Sequence, residues 1–133
     1  MDRTKKTKHQ IRLLAVDMDG TCLDTGSRMS RETVEALREA ARAGITVVPT
    51  TGRNLRCLPH RLAGERDIYR YVISSNGAVV TDCRTGRDLF RSLIPKETAL
   101  ELLGDCRKTG VGITAHLHHE YLIQGRILVL MGR

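Results

Sequence analysis

Residues 13–24 read LLAVDMDGTCLD. Four apolar residues run straight into Asp17 and Asp19, Gly20 follows, and a third acid, Asp24, closes the stretch. A short continuous apolar run is the pattern of a strand buried on both faces of a parallel sheet. Neighbouring carboxylates repel one another, so placing them where such a strand stops demands a reason. Open parallel sheets bind their ligands beyond the carboxyl ends of the strands, and Asp17 and Asp19 fall there.

Outward from that strand, the chain repeats the same grammar. After a loop, GTCLDTGSRM, Ser30 is placed to cap a helix over RETVEALREAARA, whose Val34, Leu37 and Ala41 share a face, and Gly44 supplies the stop. ITVVPT then reads as a second buried strand, parallel to the first through a right-handed crossover, and Pro49 should end it. Residues 54–63 suit a short helix disturbed by Pro59, and YRYVISS is the third strand. From Asn76 the pattern becomes strand, turn, strand, an antiparallel device on the end of a parallel sheet. A helix over KETALELLGDCRKTG, with a stripe of Ala99, Leu100, Leu103 and Cys106, precedes a second hairpin, VGITAHLH and EYLIQGRILVLM.

Composition narrows the function classes. An apolar share of 41% and a charged share of 28% in 133 residues suit one globular domain rather than a disordered chain. A net charge of +7 reads either as a solvated basic surface or as attraction for anions, from phosphorylated metabolites to RNA; one Phe, three Tyr and no Trp remove the stacking platforms of single-strand nucleic-acid binders, so nucleic acid is not expected as a partner. Cys22, Cys57, Cys83 and Cys106 form no CxxC pair, which argues for reduced thiols and a cytoplasmic setting. Arg12, Asp17 and Asp19 interrupt any signal-peptide core, and no apolar run approaches spanning length, so no membrane role is expected.

The D-x-D spacing lets two side chains straddle one site while the backbone turns between them, and Gly20 permits the exit. Two nearby carboxylates suit a divalent cation with oxygen ligands, most naturally Mg²⁺, which keeps waters and accepts a phosphate co-ligand. One carboxylate can then attack phosphorus while the other handles a proton, and a hydroxyl from the next strand can hold the phosphoryl oxygens. An isolated DxDG also fits a calcium-type turn or a solvated loop. An EF-hand, however, needs further acids and a closing Glu that DMDGTCLDTGSR lacks.

VDMDGTCLD resembles the first motif of the haloacid dehalogenase (HAD) superfamily, most of whose members are Mg²⁺-dependent phosphatases. VVPTTGR is similar to its second motif. VISSNGAVV resembles the segment that, in the Cof-type branch (type IIB cap), leads into a large α/β cap inserted after the third strand. The resemblance covers residues 11 to about 125. It implies an α/β fold, a partial Rossmann-like core followed by the start of an α+β cap. The corresponding division is a disordered tail at 1–10, the N-terminal half of the core at 11–81 and a partial cap at 82–133. It further implies Asp17 as nucleophile, Asp19 as general acid/base and Thr51 as the phosphoryl-binding hydroxyl. Mg²⁺ would sit on the Asp17 carboxylate and the Asp19 backbone carbonyl, with Gly20, Gly52, Arg53 and Asn76 beside a small phosphorylated metabolite.

Two further family motifs, a lysine and a second acidic cluster, have no counterpart. Lys96, Lys108 and Gly104-Asp105 all fall in the helix expected after residue 95. The expectation is half a site, in a chain that stops inside the cap and leaves a sheet edge open to self-association or a complementing chain. A catalytically silent fragment that binds Mg²⁺, phosphate or a protein partner is the alternative reading. Three weaker signals read blandly: HLHHE, where His116 and His118 share a strand face, as an ordinary polar strand, Cys22 as core packing, and Asp24 as a loop acid or a group behind the site.

Overall fold

The structure is a computed structural model and describes residues 10–117 and 120–124. The expectation of a disordered tail, His118, His119 and the run after Gln124 lie outside the described residues. Strand β1 (Leu13–Asp17) leads through a wide turn at Met18–Cys22 and a loop to helix α1 (Arg31–Arg42) and strand β2 (Thr46–Thr50). A tight turn at Leu55–Cys57 and the short helix α2 (His60–Ala63), with Pro59 between them, lead to β3 (Tyr71–Ser74). The hairpin β4 (Val79–Asp82) and β5 (Arg87–Arg91), helix α3 (Lys96–Thr109) and the hairpin β6 (Ile113–Leu117) and β7 (Glu120–Gln124) follow.

One five-stranded sheet has the order β1-β2-β3-β4-β5, parallel from β1 to β3 and antiparallel from β3 to β5. β6 and β7 form a separate pair. Strand β5 lies beyond residue 82 yet stays on the sheet, so the hairpin extends the core layer. Pro49 pairs in register with Val16, and β2 runs one residue further to Thr50. The missing donor shows on the other side, where the β2–β3 ladder holds the single pair Thr50 and Ile73.

Helix α1 forms for the reasons its sequence carries. The Ser30 hydroxyl accepts from the Thr33 N–H, Glu32 sits in the first turn and Arg42 in the last, and Gly44 takes φ +82 just beyond the end. Such a cap contributes about 1 kcal/mol. Val34 and Leu37 are buried in a core with Met18, Val47, Leu58, Leu62, Ile68 and Val72. Each fully buried aliphatic side chain contributes roughly 1.5–3 kcal/mol. Arg38, mostly buried, pairs with Glu35 on its own helix and ties α1 to Glu65 and Asp67 in the segment between α2 and β3.

Register puts Leu14, Val16, Val47, Pro49 and Val72 on this core face. The opposite face carries Leu13, Ala15, Val48, Ile73, Val80 and Phe90, and Leu13 and Phe90 are 58% and 52% exposed. The burial of β1 on both faces, expected from its apolar run, is therefore not met. β1 is an outer strand of the sheet, and only its Leu14 and Val16 side is packed. Helix α3 keeps its expected stripe, with Ala99, Leu103 and Cys106 half-buried, but Leu100 is exposed and no residue of the helix is fully buried. Among the described residues no helix is long and apolar enough to cross a membrane.

The start of β3 is tied to the end of β4 by Arg70, which donates from Nε and Nη2 to Asp82 at 3.1 and 2.6 Å. These hydrogen bonds, joined by the Arg84 backbone N–H and opposed by burial, pull Asp82 down to about 2 from an ordinary 3.8. A folded value below the unfolded one gives stability that is present above about pH 4 and lost as pH falls through about 2. Asp82→Asn should lower Tm at neutral pH and flatten the Tm-against-pH curve between about pH 4 and 2. Parallel curves for parent and variant would contradict the assignment.

Candidate functional site

The carboxyl ends of β1, β2 and β3 meet at one rim, and the sequence-predicted residues converge there. At the end of β1 the backbone alternates Asp17 outward, Met18 inward and Asp19 outward. Met18 is fully buried in the core and anchors the turn that presents the two acids. Gly20 follows at φ +76, ψ 0, a conformation costly for a residue with a Cβ. The Thr21 hydroxyl then donates to Asp17 Oδ2 at 3.2 Å.

Asp19 faces across to β2. Arg53 grips it with both arms, Nη2 to Oδ1 at 2.5 Å and Nε to Oδ2 at 3.1 Å, while Nη2 also donates to Ser27 Oγ at 2.9 Å. The Thr51 hydroxyl, on a residue 5% exposed, accepts from the Arg53 N–H at 3.0 Å and reaches toward Asp19 Oδ2 at 3.5 Å. Thr51 is thus the hydroxyl that approaches Asp19, whereas Thr50 is the register partner of Asp17 and Ile73 on the uncovered sheet face.

The loop after β3 closes the rim. Ser75 N–H donates to the Arg53 carbonyl at 2.9 Å and Asn76 N–H to the Thr51 carbonyl at 3.3 Å. Ser75 and Asn76 both hold left-handed backbone, at φ +52 and +55. Gly52 lets the Asn76 side chain come close: a Cβ there would lie 2.6 Å from Asn76 Oδ1 and would displace that amide. Gly20 thus adjoins Asp19 in the chain, Arg53 pairs with Asp19, and Gly52 packs against Asn76 at the same rim.

Asp24 does not join them. Its Oδ1 accepts from the N–H groups of Gly26 and Arg28 at 2.8 and 2.9 Å, and these bonds, the Arg28 N–H foremost, hold it below the usual carboxylate range. It staples its own loop. Cys22 packs against the core, and burial, aided by the Asp17 charge, pushes its thiol upward. His116 shares a hydrogen bond with Ser75 Oγ at 3.0 Å, and the described residues hold no cluster of three or more metal-ligating side chains.

Sequence reasoning missed Thr21, Ser27 and Tyr121, whose hydroxyl accepts from the Asn54 N–H at 2.9 Å. Thr21 stands in DMDGT and was within reach of the motif. Ser27 carried one signal only, a serine in a glycine-containing loop, and Tyr121 carried none. Loop 21–30 borders an open cleft of about 680 Å³ with Thr21, Asp24, Ser27, Arg28, His60 and Arg61 on its walls, and none of Asp17, Asp19, Thr51 and Arg53 lines it.

Two carboxylates, two hydroxyls and a guanidinium at a sheet rim form a set of oxygen ligands and anion donors suited to phosphoryl chemistry. The family model of haloacid dehalogenase-like hydrolases matches residues 14–126. The phosphatase YwpJ of Bacillus subtilis is 38% identical over 96 residues, which cover 70% of this chain and 32% of that protein. The HMP-PP phosphatase of Klebsiella pneumoniae is 32% identical over 92 residues, 69% of this chain and 33% of that protein. Among solved structures, a HAD subclass IIB sugar phosphatase superposes with a TM-score of 0.77 at 25% identity, over 90% of this chain and 46% of that one. The chain thus spans about a third of the length of these curated relatives and just under half of that solved structure.

Proposed function

Because the chain belongs to the haloacid dehalogenase-like hydrolases, we propose that it is a Mg²⁺-dependent phosphatase that acts on a small phosphorylated metabolite through an aspartyl-phosphate. The observation that carries this reading is the joint held by Asp19, Thr51 and Arg53 at the sheet rim, next to the exposed Asp17 carboxylate that Thr21 steadies.

Asp17 attacks phosphorus, a P–O bond to Asp17 forms, and the bond to the leaving oxygen breaks. Asp19 delivers the proton that the leaving alkoxide needs, then takes one from the water that attacks the phosphoryl group. The P–O bond to Asp17 breaks in that second step, giving orthophosphate and the free carboxylate. Arg53, charged and planar, turns from Asp19 to the phosphoryl oxygens when substrate arrives, which releases Asp19 for its proton. The Thr51 hydroxyl and the Asn76 side chain hold the remaining oxygens. Gly20 and Gly52 leave the backbone close to them.

The hard oxygen donors at Asp17 and the Asp19 carbonyl suit Mg²⁺, with waters and phosphate completing its shell. A cation held there would supply neutralisation of the charge that gathers on the phosphoryl group. The net charge of +7 supports a small anionic substrate. The four cysteines, all free thiols, support a reducing, cytoplasmic setting. The exposed Leu13–Phe90 face and the outer edge of β1 support cover by further polypeptide, from a second copy or a complementing chain.

The test is hydrolysis of a generic aryl phosphate. Turnover should require Mg²⁺ and stop with a chelator. Turnover indifferent to the chelator would contradict the proposal.

A further inference from the structure

The β6–β7 hairpin touches the rim at two points, and each point lies one residue from a residue of the site. Tyr121 Oη accepts from the backbone N–H of Asn54, next to Arg53, at 2.9 Å. His116 Nδ1 and Ser75 Oγ, next to Asn76, lie 3.0 Å apart. His116 and Tyr121 are themselves cross-strand partners, and their rings meet edge to face at 4.5 Å and 88°. The two contacts therefore belong to one rigid unit.

What they hold needs holding. Asn54 is 2% exposed, so its N–H has an acceptor in Tyr121 that solvent cannot readily replace. Ser75 and Asn76 are consecutive non-glycine residues at φ +52 and +55, a conformation that persists where surrounding contacts over-determine it. The loops after β2 and β3 are already joined by Ser75 N–H to the Arg53 carbonyl at 2.9 Å. The hairpin adds a side-chain bond to each loop from outside the sheet.

We infer that His116 and Tyr121 form a clamp that holds the loops after β2 and β3 in register, making both of them positioning residues for Arg53 and Asn76. Neither is assigned contact with the phosphoryl group. The inference rests on the proposed function for what the loops bind, and on geometry alone for the clamp. Its consequence is that the hairpin, remote in sequence from the acids, sets anion affinity at the rim.

Tyr121→Phe keeps the ring and its contact with His116 but removes the acceptor of the Asn54 N–H. His116→Phe keeps an aromatic ring and removes the bond to Ser75. In ¹⁵N-resolved NMR spectra of the metal-free chain, Tyr121→Phe should shift the amides of Arg53, Asn54, Ser75 and Asn76 together. His116→Phe should shift the same set. In titrations with inorganic phosphate plus Mg²⁺, both variants should weaken binding roughly tenfold, and in turnover they should raise KM with kcat little changed. Amide shifts confined to the hairpin and Asn54, with phosphate affinity unchanged, would overturn the clamp. A parent chain that binds no phosphate would overturn the proposed function instead, and the four-residue amide pattern would then decide the clamp by itself.

Discussion

Asp17→Asn is expected to abolish aryl phosphate hydrolysis, to at least about a thousandfold below the parent rate, without unfolding the chain. The substitution is nearly isosteric, and the amide oxygen can still accept from Thr21, whose hydroxyl lies 3.2 Å from Asp17 Oδ2. Asp17 is exposed at the end of β1, so no core packing changes. What changes is chemistry, because an amide has neither the charge nor the nucleophilic oxygen pair of a carboxylate. Tm should stay within about 2 °C of the parent, since exposed substitutions of this kind usually shift stability by under about 0.5 kcal/mol. A variant that retains a tenth of the parent rate would remove Asp17 from the nucleophile's role.

Thr51→Val should produce the second-largest loss, and one that differs in kind. Valine fills the same volume, so the 5% exposed site gains no cavity. It removes the oxygen that accepts from the Arg53 N–H at 3.0 Å and the donor that reaches toward Asp19. A buried N–H left unpaired costs about 1–3 kcal/mol of stability. Loss of a hydroxyl aimed at developing charge costs roughly a hundredfold in kcat. Thr51→Ser keeps the oxygen and should recover most of both losses. Equal behaviour of the serine and valine variants, measured by kcat and Tm together, would show that the hydroxyl does not matter.

The contrast between these two positions tracks how legible the site was in the sequence. Asp17 and Asp19 announced themselves because an apolar run stopped on them, and buried strands rarely end on adjacent acids without a partner. Thr51 was separable from Thr50 by its place before Gly52 and Arg53, and the alternation of a strand and the turn that follows then put the two hydroxyls in different settings. The Arg53–Asp19 pair was not legible. Thirty-four residues separate its members, and only the parallel register of β1 and β2 brings them together. Ser27 depends on the same register and on the loop that Asp24 staples.

Elements were easier to read than their environments. The caps, turns and periodicities of α1 and of the β4–β5 hairpin are local, so the sequence specifies them locally. Burial is a tertiary property. The apolar run of β1 looked like a strand covered on both faces, yet Leu13 is more than half exposed because β1 is an outer strand packed from one side. The stripe on α3 likewise predicted its orientation better than its depth. The β6–β7 hairpin was expected as a hairpin, but nothing in its pattern says that Tyr121 and His116 reach back to Asn54 and Ser75. Such contacts depend on where an element docks, which propensity does not encode.

The most direct test of the central claim is to quench the reaction with acid shortly after mixing chain, Mg²⁺ and aryl phosphate, and to map the peptides by mass spectrometry. The account predicts a phosphoryl adduct on Asp17, dependent on Mg²⁺ and absent from the Asp17→Asn chain. Turnover with no adduct at Asp17, or with the adduct on another residue, would contradict it.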